Sequence, residues 1–331
     1  MPSSQRLQKA LITSLVLSLI VVVVLSLFSD MRQVWHDIST FRWIELPAIL
    51  GFTLLNYLLR WLKWDYYLRY LELGHGVSRG DSGLIFTAGM VMSVTPGKIG
   101  EVFKSFLLRR VNHTPVSVSA PVVVVERLTD GLGMLLLMGL GLTMYPPARP
   151  LFALLLGMSV IGIALVHYRP LCERMIAQIA GLPAGTRIAP KLTTLYESTY
   201  QLLGWRVMLF SVLLSVLSWG MECIAFFFVL TGLGVEPSPL LLLQATFIFA
   251  ASTLLGLVSF LPGGLGMSEV SSAGLLVAIV GVSLSVATTA TIIIRFCTLW
   301  FGVLLGVVAL IWFRQRYRGD PALDSASVEA S

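Results

Sequence analysis

Two short segments place glycine, proline and charged residues inside otherwise apolar sequence. The first is Thr95-Pro-Gly-Lys-Ile-Gly-Glu101, and the second is Leu261-Pro-Gly-Gly-Leu-Gly-Met-Ser-Glu269. In each case an arginine follows the glutamate by about 26 positions, giving the pairs Glu101 with Arg127 and Glu269 with Arg295. The sequence therefore contains the same unit twice. Broken polar segments in both halves of an apolar chain are typical of a transport site, because unwound backbone in a membrane is tolerated only where it lines a cavity or is buried in protein.

A helix that begins inside a membrane presents unpaired backbone N–H groups and the positive end of its dipole, so its first turn attracts anions. Glycine in that turn permits close approach to a ligand, and Lys98 adds a cation in the first segment. We expect the two tips to meet near the middle of the bilayer and, together with two arginines, to hold an anionic group such as a lipid phosphate. The predicted substrate-binding residues are Gly97, Lys98, Gly100, Arg127, Gly263, Gly264 and Arg295.

Four acidic residues accompany these arginines. Glu101 and Glu269 lie in the first turns of the helices that follow the breaks, where they are predicted to gate the arginines or to take up a proton. Glu126 and Asp130 flank Arg127 in the next apolar run and are further candidates for this role. A structural interpretation stands beside this one. Ion pairs between each glutamate and the arginine about 26 positions later would pin each broken segment to the following helix.

Histidine and cysteine do not indicate a metal or redox site. The three cysteines lack the spacing of zinc ligands, and the four histidines form no HExxH or paired-ligand pattern. The chain also lacks a Walker motif, so ATP is not the expected direct energy source. The sequence predicts no catalytic residue, no metal and no cofactor.

The composition excludes a soluble globular protein. Of 331 residues, 56% are hydrophobic and 12% are charged, with a mean hydropathy of +0.86, which is typical of a polytopic helical membrane protein. The net charge is +6, but the basic residues gather in a few loops and in the tail that begins at Arg314. This distribution indicates membrane topology and contact with anionic lipid, and no nucleic-acid partner is expected.

The apolar runs predict an all-α integral membrane protein with about six full spans and two re-entrant helical hairpins. The spans are residues 7–28, 44–62, 115–145, 151–168, 207–230 and 284–313, and the hairpins cover 82–110 and 240–280. Basic residues favour cytoplasmic N- and C-termini, so the hairpins open to opposite sides. The two units, about 44–145 and 207–313, then form an inverted repeat. Residues 1–315 form a single membrane domain and 316–331 a disordered cytoplasmic tail.

Some features of this topology depend on further assignments. If both hairpins crossed the membrane completely, the number of spans would rise to ten. Arg60, Lys63 and Arg69 alternate with tryptophan and tyrosine at the end of the second span, and this mixture predicts an interfacial belt in the headgroup layer. The basic residues Lys104, Arg109 and Arg110 predict that the first hairpin opens to the cytoplasm.

Three motifs in this order resemble a known family. Residues 95–101, Glu126-Arg-Leu-Thr-Asp-Gly131 and residues 261–269 are similar to motifs of the flippase-like transmembrane domain family, typified by the membrane half of bacterial lysylphosphatidylglycerol synthases. The resemblance covers roughly residues 7–315. In bifunctional members this domain precedes a cytosolic aminoacyl-transferase domain and is associated with moving the modified lipid between leaflets. The chain resembles the stand-alone members, which implies lipid translocation without lipid synthesis.

We therefore expect a lipid flippase or transporter in the bacterial inner membrane. Its expected substrate is an anionic phospholipid or a polyprenyl-phosphate-linked headgroup, and membrane lipids are its other expected partners. An alternative is a membrane-embedded enzyme of the glycosyltransferase type that takes a lipid-linked donor and employs one of the four acidic residues. A third possibility, a non-transporting scaffold, leaves the repeated charges as structural ion pairs.

Overall fold

The computed structural model describes residues 31–95, 99–182 and 185–317. The predicted first span, Gly97, Lys98 and residues 318–331 of the predicted tail lie outside the described residues. The regular structure of the described ranges is helical throughout, which confirms the all-α prediction.

The helices follow one another with short connections. They are α1 (Met31–Thr40), α2 (Leu46–Tyr70), α3 (Arg79–Gly89), α4 (Phe103–Asn112), α5 (Val116–Leu140), α6 (Arg149–His167), α7 (Arg169–Ala180), α8 (Gly185–Leu202), α9 (Trp205–Gly232), α10 (Pro239–Val258), α11 (Met267–Leu275), α12 (Leu284–Arg295) and α13 (Phe301–Arg316). Two 3₁₀ segments, Met90–Val94 and Ile99–Val102, extend α3 and precede α4. Two π-helical turns, Leu276–Val280 and Phe296–Trp300, follow α11 and join α12 to α13.

Four helical segments in the described ranges are long and apolar enough to cross a membrane. They are Pro146–His167, which contains α6, then α9, α10 and the continuous segment Leu284–Arg316. A fifth span arises if α1 and α2, which meet at a bend of 60°, are counted as one. Helix α5 has 25 residues, a sufficient length, but it carries three ionisable residues. By length and composition α10 can cross the bilayer completely, the alternative that the sequence left open for the second hairpin.

The first broken segment runs from α3 through the break after Val94 to α4. Its two open ends are tied to the end of α13. Arg316 Nε lies 3.0 Å from Asp81 Oδ1 in the first turn of α3, and Arg110 in the last turn of α4 donates to the Tyr317 carbonyl at 3.3 Å. The start of α3 and the end of α4 therefore lie together, beside the end of α13.

The second broken segment runs from α10 through a glycine-rich turn to α11. Gly263, Gly264 and Gly266 have φ angles of +61°, +68° and +91°, a region in which glycine avoids the steric cost that other residues incur. At the open end, Gln244 near the start of α10 donates to the Ile279 carbonyl at 3.2 Å. The start of α10 and the end of the segment that follows α11 therefore also lie together.

The two breaks touch each other. A Cβ placed on Gly263 would lie 3.5 Å from Val94 Cα, so the second break contacts the residue that precedes the first. Thr95 closes the first break, because its Oγ1 accepts a hydrogen bond from Gly100 N at 2.9 Å. The polar segments of the two units are thus adjacent in the fold, although more than 160 positions separate them in the sequence.

Apolar side chains pack around these segments in two clusters. One cluster joins α2, α3, α4 and the end of α13 and includes Trp64 and Phe313. The other joins α9, α10 and α12 and includes Phe226 and Phe247. Tight apolar packing of this kind fixes the helices that carry the charged residues.

Candidate functional site

Seven charged side chains meet where α2, α4 and α5 pack together. They are Arg60, Lys63, Glu101, Lys104, Glu126, Arg127 and Asp130, and we refer to them as the ion-pair network. Their side chains are largely shielded, with exposures from 0% for Glu126 to 15% for Arg127. Charges buried to this degree among apolar helices need partners, and each of the seven lies within 4.0 Å of an opposite charge.

Arg127 is the centre of the ion-pair network. Its Nη2 atom lies 3.2 Å from Glu101 Oε2, 3.1 Å from Glu126 Oε1 and 3.0 Å from Asp130 Oδ2. The guanidinium therefore bridges the first broken segment to α5, as the structural interpretation predicted for Glu101. Because three carboxylates surround it, Arg127 acts in this arrangement as an anchor between helices.

Lys104 belongs to the same network, and its assignment to the cytoplasmic opening of the hairpin is wrong. Its side chain is 3% exposed. Its Nζ atom lies 2.6 Å from Glu126 Oε2 and 3.9 Å from Glu101 Oε2, and it sits 4.7 Å from the centre of the Trp64 ring. Gly89 of α3 makes room for its stem, because a Cβ at that position would overlap Lys104 Cγ. The first turn of α4 carries the lysine inward, which a count of loop charges does not detect.

The predicted interfacial belt is wrong for two of its three basic residues. Lys63 is 1% exposed and forms an ion pair with Asp130. Arg60 is 9% exposed, lies 4.0 Å from Asp130 Oδ2 and packs 5.5 Å from the centre of the Trp219 ring. The reason is helix geometry, since residues three positions apart share a face of α2, and this face packs against α5 and α9. Arg69, by contrast, has 44% of its side chain exposed.

Close packing of α5 on α9 completes the surroundings of Asp130. Gly133 makes this approach possible, because a Cβ there would lie 2.7 Å from Ser215 Cβ. Ser215 Oγ donates to Asp130 Oδ1 at 3.0 Å and accepts a hydrogen bond from Lys63 Nζ at 2.7 Å. Asp130 therefore joins α2, α5 and α9.

The second unit repeats the ion pair on a smaller scale. Arg295 Nε lies 2.6 Å from Glu269 Oε1, so the second of the two equally spaced pairs also forms. The other oxygen of Glu269 accepts the Gly266 backbone N–H at 2.7 Å, and Arg295 donates to the Gly263 carbonyl at 3.3 Å. The carboxylate of Glu269 thus already binds a backbone donor at the start of α11, where the sequence predicted a substrate anion.

A cavity of about 80 Å³, which we call the central cavity, lies between the two units. Its charged lining residues are Arg60, Glu222 and Arg295, and Tyr57 and Trp219 contribute aromatic walls. Seven hydroxyl side chains complete the polar lining: Ser93, Ser252, Thr253, Ser268, Ser272, Thr291 and Thr298. This volume can hold several water molecules or a small polar group.

A smaller void of about 10 Å³ borders both the central cavity and the ion-pair network. Its lining includes Arg60 and Ser93 from the cavity, and Glu101 and Lys104 from the network. The guanidinium of Arg60 therefore faces both regions. Its Nε atom is buried and faces Asp130 Oδ2 at 4.0 Å.

The structure separates the residues that the sequence grouped as one binding set. Arg295 lines the central cavity, whereas Arg127 is absent from its lining. Gly100 packs against Thr95 at the first break. Gly263 and Gly264 form the adjacent second break, where a Cβ on Gly264 would lie 3.0 Å from Gly256 Cα.

Sequence reasoning missed Arg60, Lys63, Lys104 and Glu222. Arg60, Lys63 and Glu222 are ionisable residues on long helices rich in apolar residues, which is the signal that marks functional sites in membranes. Lys104 lies on the short, charged helix α4 and gave no such signal. Glu222 is 4% exposed and is the one acidic residue of α9. Its position within the predicted span at 207–230 was therefore sufficient to identify it as a candidate.

The central cavity combines two guanidinium groups, the carboxylate of Glu222 and a row of hydroxyl groups. Guanidinium groups form paired hydrogen bonds with phosphate oxygens, and serine and threonine hydroxyls bind phosphate or sugar oxygens. Within the described ranges, no group of three or more His, Cys, Asp and Glu residues could hold a metal ion.

Apolar helices of membrane-spanning length, two broken segments in contact and a buried ion-pair network define a multi-pass membrane protein with a polar site among its helices. The family of lysylphosphatidylglycerol synthase TM regions matches residues 12–306. The chain belongs to this family, which confirms the resemblance carried by its three motifs.

The chain is also similar to curated membrane proteins of two organisms. A UPF0104 membrane protein of Methanothermobacter thermautotrophicus is 37% identical over 108 residues, which are 33% of this chain and 30% of that protein. A UPF0104 membrane protein of Pyrococcus horikoshii is 30% identical over 101 residues, which are 30% of this chain and 29% of that protein. These alignments span less than a third of each relative, and the names describe membrane proteins without stating an activity.

Proposed function

We propose that the protein translocates lipids with an anionic headgroup between the leaflets of a membrane, acting on an anionic phospholipid or a polyprenyl-phosphate-linked lipid. The observation that carries this proposal is the central cavity, where Arg60 and Arg295 face a lining of seven hydroxyl groups. A phosphate with an attached polyol or sugar needs this combination of guanidinium and hydroxyl donors. Family membership agrees with a membrane role.

The depth of the two arginines supports translocation over binding at the membrane surface. Arg60 lies ten residues before the end of α2, and Arg295 lies eleven residues after the start of α12. At 1.5 Å per residue, these positions are about 15 Å and about 16 Å along their helices. Helix α2 continues beyond the predicted span 44–62 to Tyr70, so Arg60 lies near the middle of this 25-residue helix, and Arg295 lies in the first half of the segment Leu284–Arg316. Each helix is long enough to cross a hydrocarbon core of about 30 Å, which supports a site away from the membrane surface.

Both arginines keep hydrogen-bond donors available for a ligand. A guanidinium has five N–H groups. Arg295 donates from Nε to Glu269 and from Nη2 to Gly263, which leaves further donors at the cavity. Arg60 forms its ion pair through Nε, which lies 4.0 Å from Asp130 Oδ2, so its Nη groups are the donors that this proposal assigns to a ligand. Arg127 supports the site indirectly in this proposal, since it fixes Glu101 beside the void that Arg60 borders.

The proposed topology retains six spans, with residues 7–28 as the first, and two broken segments that enter from opposite faces of the bacterial inner membrane. Its support is the bonding at the open ends, where α3 and α4 are tied to the end of α13 and the start of α10 is tied to the end of the α11 segment. In the closed state of the proposed transporter, Glu101 pairs with Arg127 and Glu269 pairs with Arg295. These ion pairs break when the cavity opens.

A leaflet-sidedness assay tests this function. Phosphatidylglycerol with a chain-linked fluorophore is incorporated into proteoliposomes, and an impermeant reductant then reports the fraction that reaches the outer leaflet. Charge-assisted hydrogen bonds contribute about 1.5–3 kcal/mol, so Arg60→Ala and Arg295→Ala should each slow translocation about ten- to hundredfold. Arg42→Ala is the matched control, because it removes an arginine that is 61% exposed and does not line the cavity. Wild-type rates in both cavity variants would refute the proposal.

A membrane-embedded glycosyltransferase is a second candidate, and one observation favours it. Glu222 places a carboxylate beside Arg60 and Arg295 in the central cavity, where it could accept a proton from an attacking hydroxyl. Purified protein supplied with labelled lipid-linked sugar should then form a product that Glu222→Gln abolishes. Translocation without product formation would exclude this candidate.

A further inference from the structure

A groove of about 410 Å³ runs along the outer surface between α2, α3 and α13. Its apolar lining includes Leu54, Leu58 and Phe86. Leu54 and Leu58 are 47% and 46% exposed on α2, a helix with its other face buried, so the groove faces the surrounding lipid. Gly80 and Gly83 of α3 leave this space open, because they have no side chains to fill it.

A cation lies at one end of the groove. Arg79 is the first residue of α3 and lines the groove with an exposed side chain. It forms no ion pair with any residue that the structure describes. The groove thus combines an apolar channel with a positive charge at its end, which is complementary to an acyl chain attached to a phosphate.

Trp61 forms part of the wall between α2 and α3. Its Nε1 atom is buried against α3, because a Cβ on Gly83 would lie 3.5 Å from this nitrogen. The indole ring therefore contributes apolar surface to the groove.

The groove and the central cavity share a wall. Tyr57 and Met90 line both of them. The hydroxyl of Tyr57 donates to the Thr298 carbonyl and so holds the ring across the wall. Gly302 permits this position, because a Cβ there would lie 2.7 Å from the Tyr57 hydroxyl oxygen.

We propose that this groove binds one acyl chain of an anionic phospholipid from the surrounding bilayer, with the lipid phosphate at Arg79. The groove would also serve as a lateral entrance to the central cavity, and this role rests on the proposed function. Lipid binding itself does not depend on translocation. From the groove we infer the class of substrate. It is a lipid with a negatively charged phosphate and an acyl chain that lies beside Trp61.

Photo-crosslinking of the full chain in vesicles tests this site. The vesicles contain phosphatidylethanolamine and a trace of phosphatidylglycerol with a diazirine in its acyl chain, and labelled peptides are identified by mass spectrometry. We expect labelling concentrated in residues 54–61 and 80–90. Gly83→Leu should abolish it by filling the groove, and Gly80→Leu provides a second filling variant. Gly157→Leu on α6 is the control, since a Cβ at Gly157 meets nothing within 4 Å and the residue is remote from the groove.

The charge requirement is tested separately. Arg79→Gln should lower labelling by phosphatidylglycerol about fivefold at limiting lipid, because one basic side chain at the membrane surface attracts an anionic lipid by that factor. Arg79→Lys should retain labelling, and phosphatidylcholine with the same chain should label wild type and Arg79→Gln equally.

Two outcomes would overturn the proposal: unchanged labelling in both filling variants, or equal labelling of wild type by the two lipids. Leaflet sidedness measured in the same vesicles separates this inference from the proposed function. Labelling without translocation would leave the lipid site standing and refute the function. Translocation without labelling would refute the site alone.

Discussion

Asp130→Asn removes one negative charge from the ion-pair network while it keeps the size and shape of the side chain. In the wild type, Asp130 forms an ion pair with Lys63 and lies 3.0 Å from Arg127 Nη2. Arg127 retains two other carboxylates in the variant. Lys63, which is 1% exposed, loses its carboxylate partner. The variant therefore leaves a buried ammonium group with hydroxyl and carbonyl acceptors only, and it also removes the carboxylate that lies 4.0 Å from Arg60.

The expected loss of folding free energy follows from the uncompensated charge on Lys63. Removal of one partner from a buried ion pair costs about 3–5 kcal/mol, because the remaining charge is left uncompensated in a poorly polarisable environment. The hydrogen bond from Ser215 to the Asp130 Oδ1 atom can persist with the asparagine oxygen, so it contributes little to the loss. Lys63→Met in the Asp130→Asn background removes the stranded charge. We expect the double variant to regain about 1–3 kcal/mol relative to Asp130→Asn.

Equilibrium unfolding in mixed micelles measures these differences. The fraction of sodium dodecyl sulfate is raised stepwise, and helix content is followed by circular dichroism for the wild type, both single variants and the double variant. An unfolding free energy for Asp130→Asn within about 1 kcal/mol of wild type would refute the reasoning. A double variant whose loss equals the sum of the single losses would also refute it, because independent sites add in this way.

Three further substitutions test the packing and the surface charges. Gly89→Ala should destabilise the protein by about 1–3 kcal/mol, because the added methyl group overlaps the stem of Lys104; unfolding as above measures it, and a neutral result would contradict the position of Lys104. Gly264→Ala should lower the free energy of unfolding by about 1–2 kcal/mol, because φ at this position is +68°. Gly157→Ala should leave it unchanged, because the added methyl group meets nothing within 4 Å. Equal thermal midpoints for the two variants would contradict this prediction. Arg42→Ala breaks an exposed ion pair and should cost less than about 1 kcal/mol; a larger loss by the same assay would contradict its surface position.

The sequence predicts local features of this site well. Equal spacing of Glu101 with Arg127 and of Glu269 with Arg295 anticipates two ion pairs that do form. The glycines of the second break anticipate backbone with positive φ. These features are encoded over one or two neighbouring helices, so a single sequence is sufficient to reveal them.

Features that depend on packing between distant helices are not predicted. Arg60 and Lys63 stand among aromatic residues, and local composition alone favours the headgroup layer. Their burial depends on α5 and α9, which supply Asp130 and Ser215. Glu222 has no charged neighbour in sequence, and its role at the cavity emerges only when α9 packs against α2 and α12.

The sequence handles one polar helix correctly. It predicts residues 115–145 as a full span, and helix α5 has the length to cross a membrane although it carries three ionisable residues. Those residues are compensated by side chains of α2 and α4, and these partners are what the sequence did not predict.

Headgroup selectivity of translocation is the most direct measurement of the central claim. The initial rates for phosphatidylglycerol and phosphatidylcholine are compared in proteoliposomes containing the wild type or the Arg60→Ala/Arg295→Ala double variant, after both proteins have been matched for folded content. The account predicts that wild type moves phosphatidylglycerol faster and that the double variant loses both the rate and the preference. Equal rates for the two lipids in wild type, or an unchanged preference in the double variant, would contradict it.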